Sequence, residues 1–343
     1  MDIGIVGATG YGGADLIRIL QHHPEVHRLK LYSSSQAGKD IRESFPHLHR
    51  LEDAVLEDID PVSMGKALDV VFMATPAGIS GELAPDLLAE GLRVIDLSGD
   101  FRLKDSEIYE TWYQKKPAPV EWTEKAVYGL TEWEKEEIKN ARLLANPGCF
   151  PTAALLGLLP LADQLEADSI IIDGKTGVSG AGRGLSDAVH FSETNENFKI
   201  YKANRHQHTP EIEQELARFH PGVHAITFSP HLVPMTRGIM VTIYAKIMSP
   251  STEKALHRIL DEAYQHTPFV SVRKTGYFPA TKEVYGSNQC EIGLAYDERT
   301  GRITIVSVID NLMKGAAGQA VQNMNVMFGF EETAGLQGFP VYP

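Results

Sequence analysis

A short apolar strand, a glycine-rich turn and an amphipathic helix follow one another at the start of the chain. Ile3-Gly4-Ile5-Val6 leads directly into Gly7-Ala8-Thr9-Gly10-Tyr11-Gly12-Gly13, and apolar residues then recur at helical spacing from Ala14 to His22. The GxxGxxG spacing is a variant of the dinucleotide fingerprint, whose glycines allow a tight turn and bring a pyrophosphate to a helix N-terminus. We therefore expect the residues of this turn to bind a dinucleotide: Gly7, Thr9, Gly10, Tyr11, Gly12 and Gly13. A glycine-rich turn in an ordinary βα unit is the alternative.

The first half of the chain repeats this alternation of strand and helix. Predicted strands cover 28–32, 69–75, 92–97 and 142–145, and a helix over 81–89 lies between the second and the third. This order predicts a doubly wound parallel sheet of the Rossmann type, which binds ligands at the carboxyl ends of its strands. Thr75 and Pro76 follow one such strand, and the segment from Ser98 to Arg102 follows another. The polar stretch 105–140, which holds all three tryptophans, is predicted to be an excursion from the sheet.

The loop after the second predicted strand indicates which dinucleotide binds. Ser33, Ser34 and Ser35 stand where an NAD-binding domain usually has an acidic residue for the ribose hydroxyls, and Lys39 follows them. Because no carboxylate repels a 2′-phosphate here, the loop favours NADP(H) over NAD. A polar loop without a ligand is the alternative.

The segment Asn146-Pro147-Gly148-Cys149-Phe150-Pro151-Thr152 has the composition of a nucleophile site. It holds the only cysteine of the first 289 residues, between a predicted strand and a predicted helix with Pro151 in its first turn. Unpaired N–H groups at a helix N-terminus stabilise a thiolate and so lower the pKa of a thiol placed there. The alternative is a buried structural cysteine, because free cysteine is among the most buried residue types.

A histidine pair lies in the second half of the chain. His206 and His208 precede Thr209 and Pro210, which predict the N-cap and the first position of a helix through 219. A histidine before a helix, with Glu211 close enough to orient its ring, suits a general acid or base that cooperates with a cysteine. No third ligand accompanies the pair at a familiar zinc spacing, so we predict no metal site.

Alternating strands dominate the rest of the second half. Predicted strands over 169–173, 225–228, 239–248, 289–296 and 302–309 surround one amphipathic helix over 252–266, which indicates a mostly antiparallel sheet with helices on one face. The other face is expected to pair with a second subunit. Ser179 and Gly180, in a second glycine-rich loop, can approach a ring or a phosphate. Asn311 opens a predicted helix to about 327 that returns to the cofactor domain and places Asn311 near the cofactor.

Length, charge and cysteine content exclude several classes of protein. A chain of 343 residues suits two domains, and a net charge of −13 argues against a nucleic-acid partner. Two cysteines 141 positions apart form no disulfide pattern, which fits a reducing compartment. The first residues lack the pattern of a signal peptide, and no apolar run approaches the roughly 18 residues of a membrane span. We therefore expect a cytoplasmic protein without a membrane partner.

Seven segments together resemble the N-acetyl-gamma-glutamyl-phosphate reductases of arginine biosynthesis, relatives of aspartate-semialdehyde dehydrogenase. They are GATGYGG at 7–13, SGDFRL at 98–103, NPGCFPTA at 146–153, SGAGR at 179–183, HQHTPEI at 206–212, PHLVPMTRGI at 230–239 and DNLMKGAAGQA at 310–320. The division that we expect is a NADP-binding domain of residues 1–148, completed by 311–343, and a catalytic and dimerisation domain of residues 149–310. Aspartate-semialdehyde dehydrogenases carry a histidine soon after the glycine that matches Gly238, where this chain has Ile239, so the resemblance favours the first family.

The resemblance implies a role for each motif residue and a reaction. Cys149 would be the nucleophile and His206 the acid/base, although the residues alone do not distinguish His206 from His208. His208 and Glu211 would support them, Arg102 would hold the phosphate, and Arg237 would hold the α-carboxylate. The thiolate would attack an acyl phosphate and form a thioester that NADPH reduces, in a homodimer or homotetramer. The alternatives are a related reductase of aspartyl or amino-adipyl phosphate, a non-catalytic NADP-binding sensor, and a zinc hydrolase.

Overall fold

The computed structural model describes all 343 residues, which form two compact units. The first unit comprises Met1–Pro147 and Ala316–Gln337, and the second comprises Gly148–Gly315 and Gly338–Pro343. These bounds differ from the expected ones after residue 310. Asp310 and Asn311 bond within the second unit, so the return to the first unit begins at Ala316. The tail from Gly338 also belongs to the second unit, because the Val341 N–H donates to the Tyr285 carbonyl at 2.9 Å.

The first unit contains the predicted doubly wound sheet. Its strands are β1 (Asp2–Val6), β2 (Arg28–Tyr32), β3 (Leu56–Glu57), β4 (Val70–Met73), β5 (Arg93–Asp96), β6 (Val127–Tyr128) and β7 (Leu143–Ala145). They lie in the order β3-β2-β1-β4-β5-β7-β6, and every neighbouring pair is parallel. The chain leaves β1 for β2 on one side and later returns to β4 on the other. This topological switch between β1 and β4 is where such sheets bind their ligands.

Helices connect the strands of this sheet. They are α1 (Tyr11–Leu20), α2 (Ile41–Ser44), α3 (Pro61–Ala67), α4 (Ser80–Ala89), α5 (Ser106–Tyr113), α6 (Val120–Lys125) and α7 (Thr131–Asn140). In α1 the side chains of Leu16, Ile17 and Leu20 are fully buried, and burial of each contributes about 1.5–3 kcal/mol. The stretch 105–140 leaves the sheet between β5 and β7, as predicted, except that Val127–Tyr128 adds the edge strand β6. Its three helices were not predicted; Tyr109 and Ile138 anchor two of them, which are otherwise polar, in the core.

The second unit is built on a mixed sheet. Its strands are β8 (Ile171–Thr176), β9 (Lys199–Ile200), β10 (Thr227–Leu232), β11 (Ile239–Lys246), β12 (Val270–Val272), β13 (Cys290–Asp297) and β14 (Arg302–Ile309). They lie in the order β12-β13-β14-β11-β8-β10-β9. The pairs β8/β10 and β12/β13 are parallel and the other four are antiparallel, so the prediction of a mostly antiparallel sheet is confirmed.

Four helices accompany this sheet, and a fifth returns to the first unit. They are α8 (Cys149–Leu158), α9 (Phe191–Thr194), α10 (His208–Phe219), α11 (Glu253–Tyr264) and α12 (Gly318–Phe328). Helix α8 is apolar all round and buried, and it packs on β11 and β14. Two helices begin at other residues than predicted. Helix α10 begins at His208 with Gln207 as its N-cap, and a π-helical turn over Met313–Ala317 precedes α12. No helix is long and apolar enough to span a membrane.

Candidate active site

The glycine turn of the first unit forms a cradle that only glycine allows. Gly7 has φ +86°, and a Cβ there would collide with the carbonyl oxygen of Ala74. A Cβ on Gly13 would lie 2.6 Å from the carbonyl oxygen of Gly7, so α1 packs directly on the turn. Gly10 is the N-cap of α1 and Tyr11 is its first residue. The free N–H groups of that helix end therefore face an open turn, which suits the pyrophosphate of a dinucleotide.

Two of the three serines after β2 are exposed to solvent. Ser34 and Ser35 are exposed, whereas Ser33 is buried and its Oγ accepts the N–H of Gln36 at 3.2 Å. Residues 33–39 contain no carboxylate. The two exposed serines therefore fit a 2′-phosphate, and Ser33 shapes the turn that presents them.

The side chain of Arg102, which is expected to hold the substrate phosphate, is buried. Its side chain is 6 % exposed, with Nε donating to the Asn146 carbonyl at 2.7 Å and Nη2 to the Leu97 carbonyl at 2.9 Å. These two bonds tie the segment after β5 to the segment before Cys149. The structure thus places Arg102 as a buried cation on backbone oxygens, and its contact with a phosphate stays a prediction.

In the second unit, Cys149 is the first residue of α8 and its side chain is partly exposed. Gly148 is the N-cap, with its N–H donating to Oε1 of the fully buried Glu211 at 2.8 Å. The N–H groups of the next helix positions belong to Cys149 and Phe150, because Pro151 has none. The thiol therefore lies at the positive end of a helix dipole, which stabilises a thiolate.

Two glycines allow other groups to reach the cysteine segment. A Cβ on Gly148 would lie 2.5 Å from Nε2 of His208, so the imidazole rests against the Gly148 backbone. A Cβ on Gly315 would lie 2.8 Å from the Cβ of Cys149. The π-helical turn before α12 thus brings its backbone against the cysteine, a contact that sequence spacing did not reveal.

His206 lies in an aromatic enclosure beside this cysteine segment. It is 4 % exposed, and its ring centroid is 5.6 Å from that of Phe150, 5.4 Å from Phe228 and 4.7 Å from His208. Its Nδ1 accepts the backbone N–H of His208 at 3.2 Å, which leaves the proton of the neutral ring on Nε2. That Nε2 lies 3.3 Å from the hydroxyl of Tyr201. One tautomer of His206 is therefore favoured.

Burial decides the charge of His206. Burial, together with the smaller effect of the nearby Lys202 cation, lowers the pKa of this histidine to about 3, so the ring is neutral near pH 7. Burial also raises the pKa of Tyr201, and the charge of Cys149 raises it too. Tyr201 therefore stays a phenol that is electrostatically linked to the cysteine and hydrogen-bonded to His206.

The buried histidine should make the stability of the protein depend on pH. Because the His206 pKa is about 3 in the folded state and 6.5 in an exposed histidine, the unfolded chain binds an extra proton between these values. The free energy of unfolding should therefore fall as the pH drops below 6.5, by about 2 kcal/mol at pH 5 from this residue. Urea unfolding at pH 7.5 and pH 5 measures the loss, which should shrink by that amount in His206→Asn. Equal losses in both proteins would contradict the assignment.

Ser179 and Asn311 join three loops of the second unit. Asn311 Nδ2 donates to Ser179 Oγ at 3.0 Å, and Asn311 Oδ1 accepts the Gly238 N–H at 2.7 Å. Gly180 follows within the same short 3-10 helix as Ser179. Both polar groups of the Asn311 side chain thus form hydrogen bonds within the protein. Contacts of Ser179, Gly180 and Asn311 with a cofactor stay predictions.

Arg237 already has a carboxylate partner. Its Nε lies 3.0 Å and its Nη2 3.1 Å from oxygens of the fully buried Asp310, which also accepts the N–H groups of Gly286, Leu312 and Met313. This ion pair orients the guanidinium, and the contact of Arg237 with a substrate α-carboxylate stays a prediction. Asp310 was not predicted as a site residue, although it begins the DNLMKGAAGQA segment.

The structure brings together the predicted cysteine, both histidines and Glu211. Sequence reasoning missed Tyr201, Phe150, Gly315 and Asp310 as site residues, although all of them except Tyr201 lie in segments that it had singled out. No group of three or more His, Cys, Asp or Glu side chains is arranged to hold a metal ion.

Two family models match successive parts of the chain. The family described as "Semialdehyde dehydrogenase, NAD binding domain" matches residues 2–141, and "Semialdehyde dehydrogenase, dimerisation domain" matches residues 149–311. Among solved structures, an aspartate semialdehyde dehydrogenase II from Vibrio cholerae has a TM-score of 0.72 at 19 % identity, covering 95 % of this chain and 98 % of that one. The enzyme from Candida albicans, solved with NADP, has a TM-score of 0.72 at 17 % identity over 95 % of this chain and 98 % of its own. These two likenesses show the fold.

Curated relatives are much more similar in sequence. The N-acetyl-gamma-glutamyl-phosphate reductase of Geobacillus sp. (strain WCH70) is 60 % identical over 345 residues, covering 100 % of both chains. That of Halalkalibacterium halodurans is 57 % identical, again over 100 % of both chains. The chain therefore belongs to the N-acetyl-gamma-glutamyl-phosphate reductase family, within the wider group of semialdehyde dehydrogenases.

Proposed function

We propose that this chain reduces N-acetyl-L-glutamyl 5-phosphate to N-acetyl-L-glutamate 5-semialdehyde with NADPH, releasing inorganic phosphate, as a step of arginine biosynthesis. The observation that carries the proposal is the cysteine at the N-terminus of α8, which the Glu211 to Gly148 bond and the His208 contact join to the histidine segment. Full-length relatives at 60 % identity bear the name of this activity.

The first chemical step belongs to Cys149. Its thiolate attacks the acyl carbon, a C–S bond forms, the bond from carbon to the phosphate oxygen breaks, and phosphate leaves. The negative charge that develops on the acyl oxygen is stabilised by N–H groups at the start of α8, those of Cys149 and Phe150. The Gly148 N–H already donates a hydrogen bond to the Glu211 carboxylate. It therefore fixes the loop before α8 and does not contribute to binding the oxyanion.

Residues of this chain then stabilise and release the product. The glycine turn, Ser34 and Ser35 would hold NADPH, which would supply the hydride for reduction of the thioester. The resulting thiohemiacetal oxyanion collapses by breaking the C–S bond, which forms the aldehyde and returns the thiolate to Cys149. This collapse requires no proton on the aldehyde oxygen. We therefore assign to neutral His206 the role of turning its Nε2 hydrogen bond from the Tyr201 hydroxyl to that oxyanion, and to His208 the role of setting the His206 tautomer through its backbone N–H.

The reverse reaction tests the substrate. N-acetyl-glutamate semialdehyde, phosphate and NADP should form NADPH, measured at its absorbance band, and omission of phosphate should stop the reaction. Aspartate semialdehyde under the same conditions should react much more slowly. A preference for aspartate semialdehyde would move the assignment to a related acyl-phosphate reductase, and binding of NADP without either reaction would favour the sensor.

The exposed serines give a prediction for cofactor choice. Ser35→Asp places a carboxylate where a 2′-phosphate is expected, and repulsion should lower kcat/KM for NADPH about tenfold or more, with NADH little affected. Ser35→Asn is the matched control, because it adds the same bulk without charge. If both variants change the NADPH to NADH ratio equally, the loop is not the 2′-phosphate site.

Compartment and assembly follow from the same chemistry. Neither Cys149 nor Cys290 forms a disulfide, and a thiol nucleophile works in a reducing compartment, so we assign the reaction to the cytoplasm. The second unit exposes apolar side chains, among them Leu185, Phe191 and Ile200. With a match to a dimerisation domain, this supports a homodimer or homotetramer.

A further inference from the structure

The first unit contains a buried aspartate, Asp100, that has no role in the reaction proposed above. Asp100 lies in the SGDFRL segment after β5 and is 1 % exposed. Its Oδ1 and Oδ2 accept the Gly78 N–H at 2.8 and 2.9 Å, and Oδ2 also accepts the Gly81 N–H at 2.9 Å. The Tyr109 hydroxyl donates to Oδ1 at 2.6 Å. Both oxygens act only as acceptors, as those of an ionised carboxylate do.

These bonds all lead to one loop, residues 74–81, which we call the β4 loop. It begins at the carboxyl end of β4, and its Ala74 carbonyl packs on Gly7 so closely that no side chain fits at Gly7. It ends in the first turn of α4, where Thr75 Oγ1 lies 3.0 Å from Ser80 Oγ. The loop therefore borders the topological switch between β1 and β4, beside the glycine turn.

Stability alone does not explain a charged group at this place. Asp96 is also fully buried, and both burial and the Asp100 carboxylate raise the pKa of Asp96. A buried carboxylate beside another carboxylate is costly, so it is weak evidence of a gain in stability. What Asp100 does provide is geometry. One side chain determines where two N–H groups of the β4 loop lie, and Tyr109 fixes the carboxylate itself.

We propose that Asp100 is a positioning residue of the cofactor site, which sets the β4 loop against the glycine turn so that the two loops together accept NADPH. The inference rests on the proposed function. Tyr109 is its support, because its ring stacks on Tyr113 at 4.6 Å while its hydroxyl orients the carboxylate.

The test is Asp100→Asn, which keeps shape but turns an NH₂ group toward one of the donors. We expect the Kd for NADPH, measured by calorimetry, to rise about tenfold. Amide exchange at Gly78 and Gly81 should accelerate in the protein without cofactor. The rate at which iodoacetamide alkylates Cys149 should not change. Asp105→Asn is the matched control, because the exposed Asp105 caps α5 in the same segment without touching the β4 loop.

Tyr109→Phe keeps the test decisive if Asp100→Asn does not fold. It removes only the hydroxyl, and we expect a smaller rise in Kd, about threefold, with faster exchange at Gly78. Unchanged NADPH affinity in the folded variants would overturn the inference, whether or not exchange accelerates, since Asp100 would then be a fold anchor only. Failure of the wild type to bind NADPH would instead overturn the proposed function, and this inference with it.

Discussion

Replacing Cys149 by serine is expected to abolish phosphate-dependent NADPH formation, lowering kcat by roughly 10⁴-fold or more. Serine keeps the position at the start of α8 but its hydroxyl stays protonated at neutral pH, so no acyl intermediate forms at a useful rate. The forward reaction should fail for the same reason, and trapping with radiolabelled substrate should show no thioester. The affinity for NADPH should not change, because the glycine turn belongs to the other unit.

Cys290 provides the matched control for this substitution. It is fully buried in β13, with its sulfur 3.4 Å from Ser307 Oγ. Cys290→Ser should keep the reaction rate near that of the wild type. A Cys149→Ser protein with more than about a hundredth of wild-type activity would contradict covalent catalysis through this thiol.

Replacing His206 by asparagine is expected to lower kcat by roughly 10²- to 10³-fold, the usual effect of removing one hydrogen-bond donor from an oxyanion. The loss should lie in the reductive half of the reaction, where the oxyanion needs the Nε2 hydrogen bond. A first turnover mixed rapidly with substrate should therefore still release phosphate in a burst, whereas aldehyde formation slows. Because the His206 pKa is about 3, the activity of the wild type should show no loss from this group between pH 6 and 8.

Two variants separate His206 from its surroundings. His220→Asn is the control, because His220 follows the other end of α10 and bonds the Leu165 carbonyl at 3.0 Å. Tyr201→Phe removes the partner of Nε2 while keeping the ring. If the phosphate burst disappears together with aldehyde formation in His206→Asn, the histidine acts on the cysteine before acylation and our assignment is wrong.

Much of the fold could be predicted, because it depends on patterns that act locally. Strand β14 and the extent of β2 follow directly from alternating apolar residues, and α8 from a proline in the first turn of an apolar run. The elements that were not predicted lie where a few buried side chains outweigh the polarity of their neighbours. In α5 and α7, Tyr109 and Ile138 are buried among charged neighbours, and no periodicity announces them.

The site divides in the same way. The sequence by itself determined that a thiol stands at a helix N-terminus, that a glycine turn opens the chain and that histidines precede another helix, because each depends on adjacent residues. Only the tertiary structure decided that Arg102 and Arg237 donate hydrogen bonds to oxygens of the protein. It also decided that His206 is neutral and that Asp100 accepts hydrogen bonds from the β4 loop. Burial and hydrogen bonding between distant segments set charge, tautomer and loop position, and these depend on which surfaces the fold brings into contact.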